Sequence, residues 1–323
     1  MTDLSTKYMG LQLKSPIIVG SCSLSKNIDN IIAAEKAGAG AIVIKSLFEE
    51  QLQMEAVQLE SELKLYENMI SEALSFHPDM EHGGTSEFIM WVKKARDQVS
   101  IPIIASLNAI STGNWVDYAV ELADAGVDGL ELNFFGVITD PYMMGREVLA
   151  IMVAILEDIK ARVNLPVAVK LSPYLTTPAY AARVLSESGA DALVLFNRFA
   201  QPDINIKSEK LLYNMVYSQP VEQGHTLRWI GLLSEKVKSD LCASTGIHTS
   251  DDVIKMILAG ADSVQMVSAI MKHGISYIST LNEELLKWMK DKGYASLEDF
   301  RGKIVQHRGK NDYAFERSQY IKA

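Results

Sequence analysis

Cysteine is scarce in this chain: Cys22 and Cys242 are the only two in 323 residues. Neither lies in a CxxC or other metal-ligand spacing, which argues against a structural zinc site. The six histidines include no HExxH pair, so no metal ion is expected. Positive charge is in deficit too, with 31 Lys and Arg against 40 Asp and Glu and a net charge of −9. That balance argues against a nucleic-acid or anionic-membrane binder, because both attract positive charge. A small local basic pocket remains compatible with it. No apolar run is long enough to span a bilayer. The N-terminus carries Asp3 and Lys7 and lacks the apolar stretch of a signal peptide. A reducing cytoplasm is the expected compartment.

What the chain does have is core-forming capacity and a repeat. Hydrophobic residues make up 48% and charged residues 22%, an ordinary globular balance. One repeated phrase is small-Gly-x-x before an apolar run: Ala37-Gly38-Ala39-Gly40 before AIVIKS, Ala125-Gly126-Val127-Asp128 before GLELNF, Ser188-Gly189-Ala190-Asp191 before ALVLFN, and Ala259-Gly260-Ala261-Asp262 before SVQMV. Each follows an amphipathic stretch, so the glycine is read as a helix stop in the left-handed conformation. A second phrase is x-Pro before an apolar run: Ser15-Pro16 before IIVGS, Ile101-Pro102 before IIASL, and Leu165-Pro166 before VAVKLS. Proline costs little at a strand's first residue.

With SDLCAST (239–245), these phrases give eight short strands alternating with helices. Continuous Val/Ile/Leu runs are buried on both faces, as in a parallel sheet. Eight equivalent units predict an α/β fold, a single (β/α)8 TIM barrel spanning residues 1–323. The competing arrangement is an open doubly wound sheet. Two connections exceed ordinary loops, 47–100 after strand 2 and 198–224 after strand 6. Both leave the C-terminal face and are placed to act as lids over a site there.

Barrel sites lie at the C-terminal strand ends. The strands end in Gly20-Ser21-Cys22-Ser23, Lys45-Ser46, Ser106-Leu107-Asn108, Glu131-Leu132-Asn133, Lys170-Leu171-Ser172, Asn197-Arg198, Ser244-Thr245-Gly246 and Gln265-Met266-Val267-Ser268. Nearly every strand delivers an amide, hydroxyl or ammonium to one rim. Two lysines in such a ring need partners, and an anionic ligand could supply them. Ser244, Thr245 and Gly246 precede a helix start at Thr249-Ser250, and Ser268 opens another helix. That is the usual phosphate position in such barrels, although Thr249 or Ser250 would cap the helix in any case.

The ordered set of strand ends resembles the class 1 dihydroorotate dehydrogenases, from SPIIVGS to GYASLEDFRGKI (293–304). The matching segments are Gly20-Ser21, Lys45-Ser46, Glu131-Leu132-Asn133, Val169-Lys170-Leu171-Ser172-Pro173-Tyr174, Asn197, Ser244-Thr245-Gly246-Ile247 and Gln265-Met266-Val267-Ser268. The resemblance implies an FMN-binding barrel and an FMN-dependent oxidoreductase of pyrimidine biosynthesis. Its cofactor would be held by Gly20, Ser21, Lys45, Ser46, Asn108, Asn133, Lys170, Asn197, Ser244, Thr245, Gly246 and Ser268. Lys170, Lys45 and Asn133 would take part in hydride transfer between the flavin and a small cyclic or conjugated substrate. It suggests a homodimer, while the charge balance and the lack of a long apolar run already argue against a nucleic-acid or membrane partner.

The departures concern the substrate half. Where the family continues Glu-Leu-Asn into Leu-Ser-Cys-Pro-Asn, this chain has Phe134-Phe135-Gly136-Val137-Ile138. Gly136 replaces the catalytic cysteine and has no group to accept a proton. The family's Asn-x-x-Gly-Leu segment is not visible between 47 and 100, and Val267 stands for a glycine. Substitute bases would be Asp140, Tyr142 or Cys22. Asp140 before Pro141 also reads as a turn former, and Cys22 as a small buried residue. Two other readings stay open: a phosphate-binding lyase or isomerase using Lys170 as a Schiff-base amine, and a flavin-binding paralogue without catalysis.

Overall fold

The eight apolar runs fold as eight parallel strands: β1 (Ile17–Val19), β2 (Ala41–Phe48), β3 (Ile103–Asn108), β4 (Gly129–Asn133), β5 (Val167–Leu171), β6 (Ala192–Leu195), β7 (Asp240–Ser244) and β8 (Ser263–Met266). Each pairs with its neighbours in sequence order, and β8 pairs with β1, closing the sheet. This is the (β/α)8 barrel and not the open sheet. The computed structural model describes residues 2–48, 85–108, 115–134, 137–199, 201–212 and 217–306.

Helices α1 (Ile28–Lys36), α2 (Thr85–Arg96), α3 (Trp115–Asp124), α4 (Gly145–Arg162), α5 (Pro178–Glu187), α6 (Gln223–Leu233) and α7 (Ser250–Ala259) connect successive strands. A short α8 (Ser268–His273) and the long α9 (Tyr277–Lys292) follow β8. The repeated glycine ends the preceding helix as the sequence predicts. In its four copies, at 38, 126, 189 and 260, φ runs from +85° to +109°, where a side chain would be strained. Thr249 caps α7 in a reciprocal box with Asp252. Among the described residues, no helix is long and apolar enough to cross a membrane.

Closure divides the strand residues into two sets. Ile17, Val19, Ile42, Ile44, Ile103, Leu130, Val167, Val169, Leu193, Leu241 and Val264 belong to the larger core shared with the helices. Ile18, Ala41, Val43, Ile104, Ala168, Ala192, Val194 and Cys242 form a separate cluster inside the barrel. The two-residue alternation of strands produces this division. The interior set is small at the N-terminal end, with Ala41, Ala168 and Ala192. A hairpin of Thr6–Tyr8 and Leu11–Leu13, for which the sequence carries no periodic signal, fills the space. Tyr8 and Met9 are fully enclosed there. Met9 donates its N–H to the Asp240 carboxylate at 2.6 Å. Gly129 admits the Met9 side chain, since a Cβ at 129 would lie 2.8 Å from Met9 Cε.

Of the expected lid segments, 49–84 lies outside the described residues. The connection after β6 carries a small hairpin, Asp203–Asn205 with Lys210–Leu212. It returns at Tyr217–Gln219 to the barrel before entering α6.

Because the hairpin is the floor of the barrel, Met9→Ala should open a cavity that rigid strands cannot close. Unfolding stability should fall by about 2–5 kcal/mol, read as a lower denaturant midpoint with unchanged circular dichroism. A loss under about 0.5 kcal/mol would show that the floor is not packed as described.

Candidate active site

The C-terminal end of the interior is as polar as the floor is apolar. Continuing the inward alternation upward from Ile104, Ala168 and Cys242 brings Ser106, Asn108, Lys170 and Ser244 inward. On β4 and β8, the same face carries Glu131, Asn133 and Gln265. Register places these side by side: Ser106 opposite Glu131, Asn133 opposite Lys170, and Ser244 opposite Gln265. Ser106, Asn108, Glu131, Asn133, Asn197 and Gln265 are all buried. A buried polar group without a hydrogen bond costs about 1–3 kcal/mol. Yet the side-chain carbonyl oxygens of Asn108 and Asn133, and Glu131 Oε1, have no hydrogen-bond donor among the described residues. Glu131 Oε1 faces the Lys170 ammonium, which leaves the two asparagine oxygens as acceptors that a donor on a ligand could complete.

At the centre lie Lys170, Glu131 and Gln265. The Lys170 Nζ donates to Gln265 Oε1 at 2.9 Å and stands 3.6 Å from Glu131 Oε1. Gln265 Nε2 donates to the other Glu131 oxygen, Oε2. The Lys170 side chain is 12% exposed and that of Glu131 is 1% exposed. The partner that sequence reasoning sought for Lys170 in an anionic ligand is therefore already supplied by the protein. In the sequence Glu131 stands only as part of the strand-4 motif, because sequence alone does not reveal which charges meet across a barrel.

Lys45 sits where β2 is irregular: Ile44 pairs with Ala105 and Leu47 with Leu107, so Lys45 and Ser46 together face one residue of β3. Such a bulge re-aims side chains. Burial, and then the charge of Lys26, hold the Lys45 ammonium below its ordinary pKa. The Lys45 N–H donates to Ser25 Oγ at 2.8 Å. The side chain of Ser46 lies outside the described residues. Gly20 passes close to β8: a Cβ there would be 2.9 Å from Val267 Cγ2. The valine that departs from the family pattern is accommodated by this glycine. Asn197 Nδ2 reaches the carbonyls of Phe134 and Lys170 at 3.5 Å. Ser21, half-buried, follows Gly20 on the same rim.

Ser244, Thr245 and Gly246 form the turn into the β7–α7 loop. Thr245 has φ +78°, an uncommon conformation for a non-glycine residue, and its hydroxyl donates to the Phe196 carbonyl at 3.2 Å. Gly246 has φ +75°, and a Cβ there would lie 2.3 Å from the Gln223 nitrogen, so the start of α6 also demands glycine. Ser268 Oγ accepts the Ser218 N–H at 3.0 Å, and Ser218 Oγ lies 3.1 Å from His248 Nε2. Neither Ser218 nor His248 lies in a motif that the sequence makes visible. This network ties the segment after β6 to the ends of β7 and β8. Burial, then Lys272, hold the His248 imidazole below its usual pKa.

The alternative bases fare differently. Asp140 accepts the Tyr142 N–H at 2.9 Å in an exposed turn, and Tyr142 is 89% exposed. Burial pushes the Cys22 thiol pKa above its ordinary value, and the charge of Lys170, within electrostatic reach, offsets only part of that rise. Gly136 and Phe135 lie outside the described residues.

Fold and site together define a (β/α)8 barrel with a buried, polar C-terminal mouth. Comparison with known proteins narrows this. The family model "Dihydroorotate dehydrogenase" matches residues 3–289, and the chain belongs to that family. The catalytic subunit of dihydroorotate dehydrogenase B (NAD(+)) from Thermoplasma acidophilum is 25% identical over 314 residues, covering 95% of this chain and 100% of that one. Its counterpart from Thermoplasma volcanium is 26% identical with the same coverage. The chloroplastic dihydropyrimidine dehydrogenase (NADP(+)) of Arabidopsis thaliana is 23% identical, covering 94% of this chain and 78% of that one.

Asp252 anchors the β7–α7 loop beside this mouth. Burial raises its pKa, but donors from Gln223, the His248 N–H, Lys255 and Thr249 outweigh it and hold the carboxyl below its ordinary value of 3.8. Stability from these bonds is present above that value and is lost as pH falls through the lower, folded-state pKa. Asp252→Asn should cost about 2 kcal/mol or more at pH 7, and the gap from the parent should narrow below pH 4. Denaturant unfolding at pH 7 and pH 3 measures this, and an equal gap at both would refute the ionic role.

Proposed function

We propose that the protein is an FMN-dependent dehydrogenase of the dihydroorotate dehydrogenase type, acting on a CH–CH bond of a small cyclic or conjugated substrate. The observation that carries the reading is the buried ring at the barrel mouth, where among the described residues the Asn108 and Asn133 side-chain oxygens have no hydrogen-bond donor and stand with the Lys170 ammonium. That donor and acceptor set fits a flat heterocycle with alternating N–H and C=O groups on its edge. Family membership supports the same reading.

FMN, when bound, supplies the hydride acceptor. Gly20 and Ser21 would border the ring on one side, with Asn108, Asn133 and Asn197 hydrogen-bonding its edge or the substrate. Lys45 and Ser46 would approach from the β2 bulge. Ser244, Thr245, Gly246 and Ser268 would cradle the phosphate with hydroxyls and backbone N–H groups. Lys170, Lys45 and Asn133 would act at the reacting end. Lys170 would offset the negative charge that builds as hydride arrives, an interaction worth most in the transition state. The relatives named for dihydroorotate and for dihydropyrimidine support a substrate among reduced pyrimidine-like rings.

Purified protein should be yellow, or become so with FMN, showing flavin absorption that filtration does not remove. A preparation that stays colourless in excess FMN would sink this reading.

Gly136 leads to a further expectation. A general base contributes about 10²–10⁴-fold, so a glycine in its place should make flavin bleaching by dihydroorotate slow in stopped flow. Gly136→Cys should bring no gain if the substrate itself differs. Fast bleaching by the unaltered protein would show that another group is the base, with Cys22 the first to mutate.

A further inference from the structure

We propose that Glu131 is a positioning residue: it clamps the Lys170 ammonium at the centre of the barrel mouth and sets how much positive charge that mouth presents to its ligand. This rests on the flavin reading above.

The geometry of the clamp is specific. In the closed sheet, β4 and β8 lie four strands apart, on opposite sides of the barrel. Glu131 from β4 and Gln265 from β8 therefore meet across its diameter, with Lys170 from β5 between them. An amide placed between an ammonium and a carboxylate has one satisfactory orientation, oxygen to the cation and nitrogen to the anion. Gln265 has that orientation, accepting from Lys170 at 2.9 Å through Oε1 and donating to Glu131 through Nε2. Glu131 lies two residues before Asn133 on β4, one inward layer nearer the floor. The carboxylate is 1% exposed and the ammonium side chain 12% exposed. A ligand entering from above meets the lysine first, with the acid behind it.

Stability alone does not account for this pair. A buried ion pair often contributes no more than apolar groups of the same volume. Its effect on charge is direct. An unpaired ammonium in a low-dielectric mouth would strongly favour any negative charge arriving there. A carboxylate 3.6 Å away offsets much of that attraction. Glu131 thus keeps Lys170 in place and moderates its charge, holding the bound flavin at a lower reduction potential than the lysine alone would set.

The test uses the full chain as the parent protein, Glu131→Gln, Lys170→Met and the double variant. In redox titrations of bound FMN, Glu131→Gln should favour the reduced form by about tenfold in equilibrium constant, an upward shift of about 30 mV for two electrons. Lys170→Met should move it the other way. Thermal unfolding of the flavin-free proteins gives a separate readout. Each single variant leaves a buried charge unpaired, so the double should lose less than the sum of the singles. A Glu131→Gln variant that binds FMN at the parent's potential overturns the moderating role, and additive unfolding losses overturn the clamp. If Glu131→Gln does not fold, a double variant that folds supports the clamp, and one that does not overturns it. A parent protein that takes up no FMN overturns the flavin reading and the potential shift with it. The unfolding cycle, which needs no flavin, then still decides whether Glu131 holds Lys170.

Discussion

A sheet that closes on itself leaves half of its side chains one shared interior to occupy. Everything distinctive in this protein follows from how that interior is filled from bottom to top. Eight strands contribute inward residues in layers, and no residue in a layer can change size or charge without its neighbours. At the floor the layer is alanine and glycine, and the missing volume is filled by Tyr8 and Met9 from a hairpin outside the sheet. At the mouth the layer is amide, hydroxyl, ammonium and carboxylate. The change from a sealed floor to a polar mouth gives the barrel its direction.

The polar layer is expensive by the standards of a protein core, and its arrangement limits the cost. Lys170, Glu131 and Gln265 satisfy one another across the barrel. Among the described residues the Asn108 and Asn133 side-chain oxygens do not find donors. A core selected for stability alone would favour apolar side chains at these positions, so the arrangement points to function. Closed packing also gives the site rigidity: the residues that would meet a ligand stand on strands or directly at their ends.

The side of the mouth formed by β7 and β8 is organised by a different device. Two loops and the segment returning from the β6 hairpin are knitted together by Ser218, His248, Ser268 and Asp252. The bonds of Ser218 run between segments far apart in sequence. They convert what would be loose connections into one surface, and Gly246 lets α6 press directly against it.

Much of this was legible from residues alone. The Gly phrases and x-Pro phrases marked helix stops and strand starts, because glycine's freedom at positive φ and proline's missing donor are local properties. The strand ends placed Lys45, Asn108, Asn133, Lys170 and Ser244 on one rim, because period-two alternation is also local. The N-terminal hairpin was not legible, since three-residue strands carry no periodic signal and its role as a plug exists only once the barrel has closed. The partner of Lys170 was hidden for the same reason. Lys170 and Gln265 are 95 positions apart, and Glu131 and Gln265 are 134 apart, so only closure brings them within bonding distance. The sequence by itself determined the repeat, the fold class and the polar character of the mouth, through short-range rules of backbone conformation and alternation. The tertiary structure alone decided which charges neutralise each other and which polar atoms are left for a ligand, because those are matters of distance across a closed interior.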